Sequence, residues 1–318
     1  MSGTKKTGDA KTDSRPLRLV VVGSVGLDTV ETPGDKRTDV LGGSASYACA
    51  AASFFTGAGM VGVVGEDFPE AYTALYRQLG IDAAGLQTRP GKTFRWSGVY
   101  EQNMNVRRTL STDLNVFESF SPELPPAYRS APFVLLGNIA PDLQAHVLDQ
   151  TAPDAFVVTD TMNLWIAQTR DALLRVIARS TVLMLNDEEA AMLTGESSVR
   201  RSAARLLELG PAHVAIKRGE YGAVLASRDG LFLAPAYPVE AVADPTGAGD
   251  SFAGAFMGAL AAEPAPDAAA LRRALLYGAA VASFGVEAFS LDAFVKLSRA
   301  DIEARCRELL AMIRVEAS

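Results

Sequence analysis

Short runs of apolar residues alternate with helix-like segments along most of this chain, and that alternation restricts the fold more than any other feature. LRLVVVG (17–23) reads as a buried strand, apolar on both faces. SASYACAAASFF (44–55) reads as a helix packed closely through its alanines, and GMVGVVG (59–65) as a strand again. PEAYTALYRQLG (69–80) has Pro at its start and Gly at its end, the asymmetry expected of a helix. FVLLG (133–137), FVVTD (156–160), TVLMLN (181–186) and HVAIKRG (213–219) continue the strand series. Strands separated in this way imply βαβ units and a largely parallel sheet. At 318 residues and 48% apolar, the chain is long enough for one large core with an appendage.

Two stretches break the alternation. GDKRTDVLGG (34–43) is polar and Gly-rich. KTFRWSGVYEQNMNVRRTLSTD (92–113) alternates apolar and polar residues about a turn near Asn103, the pattern of an antiparallel hairpin. A hairpin inserted in a parallel α/β chain reads as a lid or as a decorative edge. On one of its faces stand Thr93, Arg95, Ser97 and Val99, on the other Phe94, Trp96 and Tyr100, and either face is free to cover a cleft. Residues 1–16, basic but without an apolar run, read as a disordered tail rather than a secretory signal. Residues 298–314 form a scaffold helix with a capping-box start at Ser298 and Asp301.

Several functions are excluded or disfavoured. The net charge is −7 and no basic block is present, which argues against nucleic acid as partner. No apolar run reaches the length of about 18 residues that a membrane span needs. Cys49 and Cys306 fit buried thiols in a reducing cytoplasm. GAGMVG (57–62) has the letters of a dinucleotide fingerprint, but it follows a helix and opens a strand, the reverse of the required context. His146 and His213 are the only histidines, so a zinc cluster is not expected.

The chemistry concentrates in ADPTGAGDSFAGAFMGALAAE (243–263). A helix N-terminus leaves backbone N–H groups without partners and carries about half a positive charge. The bare residues Gly247, Ala248 and Gly249 let an anion approach those groups, and Phe252, Phe256, Met257 and Leu260 anchor the helix behind them. A carboxylate at Asp250, beside that anion, suits a general base that takes the proton of an attacking hydroxyl in phosphoryl transfer.

DPTGAGDSFAGAF resembles the C-terminal signature of the ribokinase-type (PfkB) carbohydrate and nucleoside kinases. VVGSVGLD, LGGSASY, LNDEEA and KRGEYGA resemble further family segments in the family's order. The resemblance implies a doubly wound, mostly parallel α/β sheet with helices on both faces and a small β lid, occupying residues 17–318. It further implies ATP and Mg2+, a small sugar or nucleoside acceptor, and a homodimer formed through the lid. Carried over residue by residue, it makes Asp250 the base, with Gly247, Ala248 and Gly249 as the anion hole. Asp28, at the end of the first strand, Gly42 and Gly43 become acceptor-binding. Asn186, Glu189, Lys217, Gly219 and Gly222 go to the nucleotide, with Glu189 near Mg2+. Asp244 corresponds to an aspartate that holds a monovalent cation, K+, in some members, although FGVEAFS (284–290) does not clearly complete such a site. Two positions depart from the family: Tyr47 replaces an asparagine and Ser44 a lysine common in ribokinases. Both lie on the acceptor side, which puts ribose itself in doubt.

The residues support these roles independently but leave alternatives. Ligands bind beyond the carboxyl ends of parallel strands, where Asp28, Asp160 and Asn163 are expected as acceptor-lining residues; Asp28 can equally form a turn. Asn186 and Glu189 fit an N-cap with a capping box as well as a phosphate site. Lys217 and Arg218 supply cations or a solvated pair. Three functions follow: a sugar kinase acting on a hydroxymethyl group, a nucleoside kinase of the same fold, or a catalytically silent ligand-binding regulator.

Overall fold

The computed structural model describes residues 15–314; the expected tail therefore lies, but for its last two residues, outside the described residues. The larger sheet contains β1 (Leu17–Val22), β4 (Gly57–Gly65), β5 (Ile81–Arg89), β8 (Phe133–Leu136), β9 (Phe156–Asp160), β10 (Val182–Asn186), β11 (His213–Lys217), β12 (Ala223–Ser227) and β13 (Gly230–Ala234). Their spatial order is β13-β12-β11-β10-β9-β8-β1-β4-β5. All neighbours run parallel except β11–β12 and β12–β13. The chain runs outward from β1 through β4 and β5, then returns to β1's other side at β8 and proceeds to β11. A crevice opens where strand order reverses in this way, at the carboxyl ends of the strands.

Both faces of this sheet are buried, which is why its strands read as unbroken apolar runs. Leu19 and Val21 join a core with α1 (Ser44–Ala52), α8 (Ala248–Ala262) and α9 (Ala268–Gly285). Val20 and Val22 face the opposite core, with Val147 and Leu148 of α3 (Pro141–Leu148) and Val176 of α5 (Arg170–Ile177). That second face continues over α6 (Asp187–Thr194) and α7 (Val199–Leu207). The remaining helices are α2 (Glu70–Gln78), α4 (Asn163–Gln168), α10 (Asp292–Lys296) and α11 (Arg299–Ile313). The fold is the expected doubly wound α/β arrangement.

The smaller sheet has the order β3-β2-β6-β7, built from β2 (Gly26–Glu31), β3 (Lys36–Gly42), β6 (Phe94–Tyr100) and β7 (Arg107–Asp113). β6 and β7 are the expected hairpin, and β3 lies in the expected polar segment. One expectation is corrected. VVGSVGLD is not a single strand ending at Asp28: β1 stops at Val22, and Asp28 is the third residue of β2, in the other sheet. The break has a local cause. Ser24 N–H donates to Ser44 Oγ at 3.1 Å, and Ser44 N–H returns a bond to Ser24 Oγ at 3.0 Å. This pair ties the crossing segment to the start of α1.

Candidate active site

α1 and α8 set the geometry of the cleft floor. They pack through Gly254 and Gly258 of α8, where a side chain would run into the backbone of Ala48 and Ala52. Such closeness aims the α8 N-terminus at the crevice. Gly247 caps α8 with φ +74°, a left-handed conformation that favours glycine. No side chain caps this end; Ala248 N–H donates to Pro245 O at 3.2 Å, while the N–H groups of Gly249 and Asp250 are left at the positive end of the helix dipole. Asp250 is the third residue of α8 and remains partly accessible.

The ends of three parallel strands supply the next group of residues. Asp160 closes β9, Asn186 closes β10 and Lys217 closes β11, with Asn186 and Lys217 directly paired in register. Lys217 Nζ donates to both carboxylate oxygens of Asp160, at 3.1 and 3.0 Å. A β-carbon on Gly249 would stand 3.1 Å from the same Nζ, so this cation lies beside the α8 turn. Burial alone would lower the Lys217 pKa, but the charges of Asp160, Glu189 and Asp250 outweigh it and raise it. Buried Gln144 donates to the backbone carbonyls of Gly137 and Asp160, holding the ends of β8 and β9 together.

Asn186 and Glu189 form a reciprocal capping box at α6: Asn186 Oδ1 accepts from Glu189 N–H and Glu189 Oε2 from Asn186 N–H, both at 2.8 Å. Glu189 is pushed up to about 7, chiefly by burial. Asp250 is also pushed to about 7, first by burial and then by the charge of Asp160, against Lys217 and Arg107.

On the other side of the cleft, Asp28 is 4% exposed and its Oδ1 has no hydrogen-bond partner. Burial, followed by the charges of Asp244 and Asp250, raises it to about 7; Arg107 opposes this. Gly42 lies so close that a β-carbon there would overlap the Asp28 carboxylate. Gly43 forms the N-cap of α1. Tyr47 is buried, with its ring against Gly247 and its hydroxyl without a partner. Asp244 accepts the N–H of Thr246 at 2.8 Å through Oδ1, while its buried Oδ2 is unpartnered.

The expected residues do not all converge. Asp160, expected among the acceptor-lining residues, pairs with Lys217, and its charge raises the pKa of Asp250. Ser44 spends its hydroxyl on Ser24. Asn163 is exposed at the start of α4 and makes no hydrogen bond to these residues. Gly219 and Gly222 flank the turn after β11, and Gly219 lies beside Asn105 at the hairpin tip, 3.1 Å from a virtual β-carbon to Oδ1.

The hairpin contributes residues that were not anticipated. Thr246 Oγ1 donates to the Tyr100 hydroxyl at 3.2 Å, and Trp96 and Tyr100 pack with Val30 and Phe289. The Trp96–Tyr100 face is therefore the one that covers the cleft. Arg107, the first residue of β7, stacks its guanidinium 5.7 Å from the Trp96 ring centroid. Its charge reaches Asp28, Glu189 and Asp250 alike. A basic residue on a predicted lid was the available signal for Arg107; only the register of the hairpin shows where it points.

The fold and this cleft define a ribokinase-type phosphotransferase architecture. The profile of the pfkB family carbohydrate kinases matches residues 17–295, and the chain belongs to that family. Its members act on hydroxyl groups as phosphotransferases. A cytidine kinase of Thermococcus kodakarensis is 32% identical over 248 residues, 76% of this chain and 87% of the relative. Two solved structures share the fold. An E. coli structure described as a ribokinase II in complex with ATP and Mg2+ aligns with TM-score 0.76 at 21% identity, covering 92% of this chain and 100% of that one. A Burkholderia thailandensis nucleoside kinase in complex with inosine aligns with TM-score 0.74 at 20% identity, covering 92% and 99%.

Proposed function

We propose that this chain transfers the γ-phosphoryl group of ATP to a hydroxyl, in the form of a hydroxymethyl group, on a small sugar or nucleoside, with Asp250 as general base. The observation that carries this reading is the placement of Asp250 inside the uncapped first turn of α8, beside N–H groups open to an anion. The attacking hydroxyl gives its proton to Asp250, whose pKa near 7 suits transfer at neutral pH. The N–H groups of the α8 turn and Lys217 receive the charge on the phosphoryl oxygens, while Arg107 approaches from the hairpin. Asp28 orients the acceptor. Asn186, Glu189, Gly219 and Gly222 line the nucleotide side.

The donor set fits Mg2+ held mainly by phosphates. Among the described residues no cluster of three or more His, Cys, Asp or Glu side chains could hold a metal alone. Glu189 keeps one carboxylate oxygen free of the capping box, and Mg2+ commonly binds through one or two carboxylates plus substrate phosphates. When bound, the ion would offset phosphate charge. The buried, unpartnered Oδ2 of Asp244 fits a monovalent cation such as K+. The exposed apolar residues Val106 and Leu110 on the hairpin support a lid-mediated homodimer.

A nucleoside acceptor is favoured over ribose by two observations. The relative at 32% identity is a cytidine kinase. Trp96, partly exposed and paired in register with Asp28, also offers an aromatic face on which a flat base would stack. Coupled detection of ADP release with cytidine, inosine, ribose and fructose separates the readings. Turnover with one of them and little without it supports a kinase; ATP binding without transfer to any would support a silent regulator.

A further inference from the structure

The segment FGVEAFS (284–290) leads out of α9 and meets the cleft at separate points. Val286 O accepts the N–H groups of Ala243 and Asp244, at 2.8 and 3.2 Å. Those residues open the stretch that runs through Gly247 into α8, so the α8 turn hangs from residue 286. Phe289 packs with Val30, Tyr100 and Trp96 of the smaller sheet. Ser290 Oγ donates to Leu41 O at 2.5 Å, next to the Gly42 that lies against Asp28. Close-packed interiors transmit displacements, so a shift of 284–290 reaches the α8 turn.

This segment is held from outside by α11, which lies beyond residue 295, where the family match ends. The contact is made by Arg305. Its guanidinium lies 3.3 Å from the Phe284 ring centroid and 4.4 Å from that of Tyr237. One terminal nitrogen donates to Ser283 Oγ at 3.0 Å, the other to both carboxylate oxygens of Glu287, each at 3.2 Å. Phe284 and Glu287 stand on either side of Gly285 and Val286. One side chain therefore brackets the carbonyl on which the α8 turn depends. The Arg305 side chain is 13% exposed, a cation taken largely out of water at the C-terminus of α9. The negative end of that helix dipole, the Glu287 charge and two aromatic faces compensate it. A planar guanidinium can make these contacts together; a lysine ammonium cannot. Arg299 of the same helix gives a contrast. It stacks on Phe55 and Tyr277, at 4.1 and 4.9 Å, and pairs with Glu303, and none of these partners belongs to 284–290.

We propose that Arg305 is a positioning residue for phosphoryl transfer: from α11 it fixes the 284–290 segment and, through Val286 O, the α8 turn that carries Asp250. The proposal rests on the kinase reading above, but its first readout does not need turnover.

The test compares Arg305→Met, Arg305→Lys, Glu287→Gln and Arg299→Met in the full chain. Amide hydrogen exchange of the peptide covering 243–250 is read first. Arg305→Met should speed its exchange about tenfold, and Arg299→Met should leave it within about twofold. Kinetics with ATP and the best acceptor among cytidine, inosine, ribose and fructose follow. Arg305→Met should lower kcat about tenfold with KM values within about threefold, because a displaced turn costs rate more than binding. Arg305→Lys should recover part of that loss, and Glu287→Gln should lower kcat about threefold. Arg299→Met should lower the melting temperature as Arg305→Met does and keep the wild-type kcat. Wild-type exchange at 243–250 in Arg305→Met, or equal kcat losses in Arg305→Met and Arg299→Met, would overturn the proposal and leave the kinase reading intact. If Arg305→Met does not fold, Glu287→Gln decides by the same two readouts, and wild-type values there overturn the proposal. Absence of transfer by the wild-type enzyme to any acceptor would overturn the kinase reading and this proposal with it.

Discussion

Two buried aspartates face the same cleft in opposite states. Asp160, 5% exposed, holds Lys217 through both oxygens at the ends of β9 and β11. Asp28, 4% exposed, has a free oxygen, and its charge is eased by Arg107. The proposed nucleotide side is thus tied together within the chain: an ion pair, a capping box and a helix N-terminus are all in place. The proposed acceptor side keeps buried polar atoms without partners, which suits a site that discriminates by hydroxyl pattern, because a substrate lacking the hydroxyl leaves them unpaired.

The largest effect should come from the residue that both halves share. Asp250→Asn is nearly isosteric and should lower kcat by about 10² to 10⁴, the worth of a positioned base, with Kd values for both substrates within about threefold. Retention of more than about a tenth of the activity would remove Asp250 from that role.

Stability separates the two halves more sharply than activity. Lys217→Met leaves Asp160 buried without its cation, and breaking such a pair costs about 3 kcal/mol, read as a drop in denaturant midpoint. Asp28→Asn breaks no ion pair. At pH 8, where the raised pKa makes the buried charge unfavourable, it should be neutral or raise the midpoint. Equal destabilisation by the two substitutions would erase the distinction drawn between the sites.

The pH dependence is a smaller effect with opposite signs in folding and in turnover. Asp28, Glu189 and Asp250 have folded-state pKa values of about 7, above the ordinary carboxylate range. The free enzyme therefore holds protons that the unfolded chain has released. This contribution to stability is complete below about pH 4 and is lost as pH rises through about 7. Transfer needs Asp250 ionised, so kcat/KM should rise across the same interval. A melting temperature that climbs from about pH 5 to 8 would contradict these assignments.

The legibility of the molecule followed burial. Strands covered on both faces, such as β1 and β10, announced themselves as apolar runs. β5 did not: it lies at the sheet edge, and IDAAGLQTR mixes exposed and buried positions without clean alternation. β2 was merged with β1 because nothing in GSVGLD signals that a Ser24–Ser44 clasp redirects the chain into another sheet. In the site, the α8 turn and the Asn186–Glu189 box were readable, since caps are local. The Asp160–Lys217 pair was not readable, because its two members are 57 residues apart. Arg107 was missed, and the choice between the two hairpin faces stayed open, because only the pairing of β6 with β2 turns the Trp96–Tyr100 face inward.

The central claim is the division of the cleft, and Asp28→Ala tests it most directly. ATP binding by calorimetry and acceptor kinetics are measured in parallel on this variant and the wild-type enzyme. The variant should bind ATP with a Kd within about threefold of the wild type. Its acceptor kcat/KM should fall on the order of 10² or more, because the hydroxyl-binding group is gone. Weakened ATP binding with acceptor kinetics unchanged would contradict the account and exchange the two sides of the cleft.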